Sequence, residues 1–285
     1  MIARATRRRL SLGLATLFGV KRGFFIPYRY ADTAEVPGRY LELERSFGAR
    51  ESEFREVIDG LEKLVPAFED IARQSVEPRG PDAPRLPRWD QGWFPRMDAA
   101  VAYAMVRWLQ PARIVEIGAG HSTRFLARAV RDGKLETHIT TIDPEPRAAL
   151  YDLDFEFVRA PLQHANRAIF GALLPGDFLF VDSSHVLMPG TDVDVILNRI
   201  WPALAPGVVV HFHDIFLPDD YPPEWSWRGY NEQNAVGALI SSGAELVWSS
   251  RYVATRMMNL IAGTAISRLP LFPGAVETSL WLRKV

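Results

Sequence analysis

At 285 residues the chain is long enough for one large α/β domain with an appendage or for two small domains, and a hydrophobic fraction of 48% supplies a full core. A formal net charge of −1 gives no electrostatic case for nucleic acid as a partner. The absence of cysteine excludes disulfides, thiolate metal ligands and thiol catalysis, and it suits a cytoplasmic protein.

Residues 1–22 depart from this neutrality, with Arg4, Arg7, Arg8, Arg9, Lys21 and Arg22 and no acid. The apolar run from Leu10 to Val20 after a basic start is similar to a signal-peptide core. Lys21-Arg22-Gly-Phe-Phe follows it without a small-residue cleavage site, and the run is too short to span a bilayer. The segment reads as a basic amphipathic helix docked on the protein or at a subunit interface. The alternatives are peripheral contact with anionic lipid, which would make the protein membrane-peripheral, and a cleaved signal.

Residues 39–73 set Leu41, Leu43, Phe47, Phe54, Val57, Leu61, Leu64 and Phe68 among charges, a helical pattern with one apolar side. Glu77-Pro-Arg-Gly-Pro-Asp-Ala-Pro-Arg-Leu-Pro87 is a proline-rich connector. It sets the expected boundary between an N-terminal basic and helical segment, 1–87, and a domain over 88–285. Asp98 is expected to N-cap a helix running through Gln110.

The stretch Arg113-Ile-Val-Glu-Ile-Gly-Ala-Gly-His-Ser-Thr123 carries the most information. Ile114, Val115 and Ile117 read as a buried parallel strand. Gly118 and Gly120 remove Cβ atoms where the chain turns and a ligand approaches the backbone. Phe125-Leu-Ala-Arg-Ala-Val130 then reads as a helix ending at Asp132-Gly133. Such a corner places ligands at the carboxyl end of a strand in an open α/β sheet. Thr123 stands where a dinucleotide fingerprint has its third glycine, and Glu116 suits a ligand bearing positive charge. Ile139-Thr-Thr-Ile-Asp143 reads as a second strand ending in a carboxylate that can accept from both hydroxyls of a ribose. Together these features favour S-adenosylmethionine over NAD. Residues 155–159, 178–182 and 207–212 read as the third to fifth strands, residues 193–200 as a crossover helix, and residues 246–248 and 279–282 as the closing strands.

Four segments, Val115-Glu-Ile-Gly-Ala-Gly-His-Ser-Thr123, Thr141-Ile-Asp143, Asp177-Phe-Leu-Phe-Val-Asp-Ser-Ser-His185 and Gly207-Val-Val-Val-His-Phe-His-Asp-Ile-Phe216, resemble the class I S-adenosylmethionine-dependent methyltransferases. The last two are similar to the bacterial branch grouped as methyltransferase family 24. The resemblance spans roughly residues 90 to 285. It implies an α/β fold: a Rossmann-like, doubly wound, seven-stranded sheet with its last strand antiparallel, here with an N-terminal helical appendage. The expected cofactor contacts are Glu116, Gly118, Gly120, Ser122, Asp143, Asp182 and Ser183.

In a doubly wound sheet the segments Asp182-Ser-Ser-His185 and His211-Phe-His-Asp214 end neighbouring strands beside the glycine corner. Their oxygen-rich ligands suit magnesium or manganese, and such an ion would lower the pKa of a substrate hydroxyl. In catechol-type O-methyltransferases, which the chain resembles here, an aspartate at the end of strand four binds metal and a lysine three residues later is the general base. The resemblance implies Asp182, His213 and Asp214 as metal ligands and His185 as the base, with a reference pKa of about 6.5 that leaves a sizeable fraction neutral near pH 7. His213 departs from the acidic pair of that family. A metal-free methyltransferase in which Asp214 orients the substrate, and a non-catalytic S-adenosylmethionine-binding or assembly module, are the alternatives.

His211 is expected in the core, and Asp192 and Asp194 as caps of the crossover helix. Leu217 to Tyr230 is too long and aromatic for a simple turn. Tyr221, Trp225, Trp227 and Tyr230 are expected to wall an apolar acceptor pocket, with Arg228 reading an anion. Trp89-Asp-Gln-Gly-Trp-Phe-Pro95 is a second candidate lid. The expected partner is a small hydroxylated substrate, with homo-oligomerisation open.

Overall fold

The computed structural model describes residues 4–24, 26–74, 86–146, 150 and 153–285. Most of the proline-rich connector, residues 75–85, lies outside the described residues. The chain divides into two compact units, Met1–Pro37 and Gly38–Val285. The first contains helix α1 (Arg4–Leu17) and a short 3-10 turn at Ala31–Thr33.

The second unit is built on seven strands: β1 (Arg113–Ile117), β2 (His138–Ile142), β3 (Glu156–Val158), β4 (Phe178–Val181), β5 (Val209–Phe212), β6 (Glu245–Ser249) and β7 (Leu280–Arg283). They form one sheet in the order β3-β2-β1-β4-β5-β7-β6. The first five run parallel, and β7 lies antiparallel between β5 and β6. This is the doubly wound sheet with an antiparallel last strand that the sequence implies. The apolar runs of β1, β4 and β5 are buried because helices cover both faces of the sheet. From β1 the chain passes to β2 on one side and later to β4 on the other, which makes the end of β1 the switch point where such sheets bind ligands. The register pairs Ile117 with Val181 and Val181 with Phe212, so β1, β4 and β5 release the chain side by side at Gly118, Asp182 and His213.

Helices α2 (Leu41–Gly48), α3 (Glu51–Leu61) and α4 (Val65–Gln74) put Phe47, Phe54, Ile58, Leu61, Phe68 and Ile71 into the same core as the sheet. Phe54 meets Trp248 edge-on at 5.7 Å, and Phe68 meets Trp89 at 5.5 Å and Tyr103 at 5.9 Å. The compact division therefore falls after Pro37, whereas the sequence places a boundary at the connector. The apolar side of these helices has no core of its own and is completed by the sheet.

Helix α5 (Arg96–Leu109) is buried at every residue from Met97 to Val106 and packs on α6 (His121–Gly133). Asp98 does not cap it. Pro95 holds the N-cap position without a side-chain bond. The Asp98 carboxylate is fully buried and accepts the backbone N–H groups of Thr278 and Ser279, each at 3.0 Å. Glu277 reciprocates by accepting Arg96 Nε and Met97 N, each at 2.9 Å. Two buried carboxylates thus tie the start of α5 to the start of β7, which runs against its neighbours.

Candidate active site

The glycine corner is shaped by contact and by an acid behind it. Gly118 has φ +86°, and a Cβ there would lie 2.0 Å from the Asp182 carbonyl oxygen, so the exits of β1 and β4 touch where only glycine fits. A Cβ on Gly120 would meet nothing within 4 Å, because that residue faces an open cavity. Glu116 is fully buried and does not line the cavity. Its carboxylate accepts Ser122 Oγ at 2.7 Å, Thr123 Oγ1 at 2.6 Å and Thr141 Oγ1 at 3.0 Å. Burial pushes its carboxyl up to about 7 despite those three donors. Glu116, which the sequence expects at the cofactor, fastens the start of α6 and strand β2 to β1 from behind. Thr123, in place of a third glycine, completes the clamp by accepting the Gly120 N–H at 3.0 Å.

The cavity measures about 970 Å³, ample for a nucleoside-sized cofactor with an acceptor beside it. Gly118, Gly120, Ser122, Asp143, Asp182 and Ser183 line it. Asp143 accepts Ala119 N at 2.7 Å and Glu145 N at 2.6 Å, which holds its carboxylate over the glycine loop with lone pairs to spare. Ser183 Oγ is buried in the cavity wall with no hydrogen-bond partner among the described residues. An open glycine face, a fixed carboxylate and an orphaned hydroxyl fit a ligand with a ribose and polar ends.

Opposite the corner stands a cluster of acids and imidazoles. His185 (φ 59°) and Asp214 (φ 55°) both occupy the left-handed region that residues with a Cβ rarely adopt, at the ends of adjacent strands. His185 is buried, with Nδ1 2.8 Å from Glu232 Oε2 and Nε2 3.3 Å from Asp182 Oδ1 and 3.5 Å from Asp214 Oδ2. The first turn of the helix Glu232–Ser241 grips its backbone, since Asn231 N donates to the His185 carbonyl at 3.0 Å. His213 Nδ1 lies 3.6 Å from Asp182 Oδ1 and 3.5 Å from Asp214 Oδ1, and its Nε2 lies 3.4 Å from Asp98.

Burial alone would pull both imidazoles down in pKa, but the carboxylates around them outweigh it and hold His185 and His213 well above the usual histidine range. For His185 this direction is opposite to what a base needs, whereas its reference pKa leaves a sizeable fraction neutral near pH 7. Desolvation works to raise Asp182, yet His213 and His185 hold its carboxyl below the usual range. Glu232 is raised by burial, with His185 opposing.

This charge balance bears on the expected ion. Among the described residues no group of three or more His, Asp or Glu side chains is arranged to hold a metal. The oxygens of Asp182 and Asp214 face imidazole nitrogens that already compensate them. Magnesium or manganese on Asp182, His213 and Asp214 does not fit this arrangement. His211 is the expected core histidine: its ring stacks on Phe180 at 3.6 Å and Nε2 meets Ser279 Oγ at 2.8 Å.

Of the aromatic segment after β5, Trp225, Arg228 and Tyr230 line the cavity. The Arg228 guanidinium sits 3.9 Å over the Trp225 ring and donates to Tyr230 Oη at 3.1 Å, and Tyr230 lies 4.6 Å from the His185 ring. Tyr221 turns inward onto Phe216 at 5.5 Å, and Trp227 is exposed, so neither walls the pocket. The second lid segment also reaches the cavity. Gln91 Oε1 accepts Trp93 N and Phe94 N, each at 2.8 Å, and this tight turn sets residues 90–95 in the wall. Asp192 accepts Ser184 N at 2.9 Å from the first turn of the crossover helix, whose N-cap is Thr191. Glu232 and the wall segment 272–276 had no signal in the sequence. An acid opening a helix reads as an ordinary end charge, and a proline–glycine loop reads as a turn.

Residues 115–215 match the model of a family described as a methyltransferase domain, from within β1 to just past β5. With the strand order and the glycine corner, this identifies the stretch as a class I S-adenosylmethionine-dependent methyltransferase domain. No curated protein matches the chain. Among solved structures, the methyltransferase PaMTH1 of Podospora anserina bound to SAH is 16% identical, with 92% of this chain and 99% of that one covered at a TM-score of 0.42. A TehB-like SAM-dependent methyltransferase of Corynebacterium glutamicum is 14% identical, covering 64% and 86% at a TM-score of 0.37. The branched-chain polyamine synthase of Thermus thermophilus is 13% identical, covering 78% and 64% at a TM-score of 0.42. Likenesses of this size leave the assignment to the strand order and the family match.

Proposed function

We propose that the protein transfers the methyl group of S-adenosylmethionine to a hydroxyl of a small acceptor, with His185 as the base and no resident metal. The observation that carries this reading is the setting of His185: buried in the cavity wall, held at Nδ1 by Glu232, with Nε2 turned toward Asp182 and Asp214. Gly118, Gly120, Ser122, Asp143 and Ser183 hold the cofactor, and Glu116 supports them from behind. When bound, the cofactor supplies an electrophilic methyl on a sulfonium. In transfer to a hydroxyl, His185 Nε2 would take up the proton that the acceptor oxygen gives up as it gains the methyl group. A positive charge held beside Asp182 and Asp214 would oppose a proton on His185 and favour its basic form there. Trp225 and Tyr230 hold the acceptor in line with the methyl, which matters as much as basicity.

The test is calorimetric titration of S-adenosylhomocysteine, followed by labelled-methyl transfer to a panel of hydroxylated acceptors with and without a chelator. Asp143→Ala should weaken binding by more than about tenfold through the lost charge-assisted bonds. His185→Ala should keep binding and lose transfer by roughly 10²–10⁴-fold. Transfer abolished by the chelator would replace this reading with the metal-assisted one. Binding without transfer to any acceptor would leave a cofactor-binding module, and no binding at all would remove the cofactor.

A further inference from the structure

Residues 1–31 carry seven basic side chains (Arg4, Arg7, Arg8, Arg9, Lys21, Arg22 and Arg29) and no acid. The net charge of −1 thus combines +7 in this segment with −8 in the rest of the chain. The same segment leaves its apolar side chains in solvent. Leu10, Leu14 and Leu17 are 53%, 53% and 60% exposed, and Phe18, at 84%, follows them. The three leucines sit at i, i+4 and i+7 of α1 and share one face. Phe24, Ile26, Tyr28 and Tyr30 continue the apolar exposure beyond the helix. Solvent-exposed leucines along a lone 14-residue helix give it little stability in water, so the face calls for a partner.

We infer that residues 4–30 lie on the surface of an anionic lipid bilayer, with the Leu10, Leu14, Leu17 and Phe18 face in the headgroup–acyl boundary and the basic residues on the acidic headgroups. Two features select this occupant. The clustered cations match a surface of negative headgroups, which attracts each Lys or Arg independently. The leucine face and the neighbouring aromatics match the boundary layer, where amphipathic helices and Trp or Tyr side chains settle. The helix lies on the membrane and does not cross it. Fourteen residues reach about 21 Å, short of the hydrocarbon thickness of about 30 Å. Among the described residues no helix is long and apolar enough to span.

The test is co-sedimentation of the full chain with vesicles of phosphatidylcholine alone and of phosphatidylcholine with about one third phosphatidylglycerol. Comparison variants are Arg7→Glu/Arg8→Glu/Arg9→Glu and Leu14→Glu/Leu17→Glu. The expected result is binding to the anionic vesicles that high salt suppresses. It should be more than about tenfold weaker on phosphatidylcholine and in either variant, while all three proteins keep the same affinity for S-adenosylhomocysteine. Equal binding to both vesicles, no binding to the anionic ones, or unchanged binding by the variants overturns the inference. So does a lipid-free dimer that Leu14→Glu/Leu17→Glu converts to monomers, which would give the leucine face to a second copy.

Discussion

At the scale of single residues, the glycine corner separates two reasons for lacking a side chain. Gly118 is constrained by its neighbours: φ is +86° and the Asp182 carbonyl occupies the Cβ position. Gly118→Ala should therefore lower folding stability by several kcal/mol, from left-handed strain plus a backbone clash. Gly120 is extended and has no neighbour within 4 Å of a Cβ. Gly120→Ala should unfold like the wild type and bind S-adenosylhomocysteine more weakly, because its methyl enters the cavity. Urea unfolding and calorimetry on both variants check the contrast, and equal destabilisation by the two would refute it. Glu116 adds a pH dependence. Its carboxyl rises from 4.5 to about 7 on folding. Between those values the unfolded chain releases the proton and the folded one keeps it, so stability falls as pH rises through the window and levels off above it. The full difference is on the order of 3 kcal/mol. Glu116→Gln lacks this term, so its stability relative to wild type should improve from pH 4.5 to 7.5. Parallel unfolding profiles over that range would sink the idea.

At the scale of elements, the ties that orient the site join distant stretches of chain. Asp98 on α5 accepts two N–H groups 180 and 181 residues away at the start of β7. Asp98→Ala leaves both buried donors unpaired and should cost about 2–5 kcal/mol in denaturant unfolding. Asp98→Asn keeps an acceptor and should cost less; an unchanged midpoint for Asp98→Ala would show that water or local rearrangement replaces the carboxylate. Periodicity shows why some of this was legible and some was not. Ile114, Val115 and Ile117 between a basic residue and two glycines read as a strand and a corner because that pattern is local. Asp182, His185, His213 and Asp214 were placed together by strand order alone. What Asp98 and Glu232 do was hidden, since each looks like an ordinary helix-end acid and acquires its partner only through tertiary packing. The same packing sets the surroundings of Glu116, whose three hydroxyl donors, Ser122, Thr123 and Thr141, come from two other elements. It also surrounds His185 with Asp182, Asp214 and Glu232, which raise its pKa above the reference value.

At the scale of the whole molecule, the position of the boundary decides which fragment is a folding unit. A proline-rich connector looks like a domain junction, and cutting there would leave residues 88–285 as the catalytic piece. The core says otherwise. Phe47, Phe54, Ile58, Leu61, Phe68 and Ile71 are buried against the sheet and α5, and Arg128 of α6 pairs with Asp70 of α4. Removing six such side chains forfeits roughly 1.5–3 kcal/mol each, a sum comparable with or larger than the net stability of about 5–15 kcal/mol of an ordinary domain. It also exposes Trp89, Tyr103 and Trp248 to water. A chain of residues 88–285 should therefore be aggregated or lack a cooperative thermal transition. A chain of residues 38–285 keeps every one of those contacts and should melt cooperatively and bind S-adenosylhomocysteine with the affinity of the full protein. Calorimetry and scanning thermal denaturation of the two fragments decide the matter. A cooperative, ligand-binding 88–285 fragment would mean that α2, α3 and α4 are an accessory layer, and that the sheet closes its core without them.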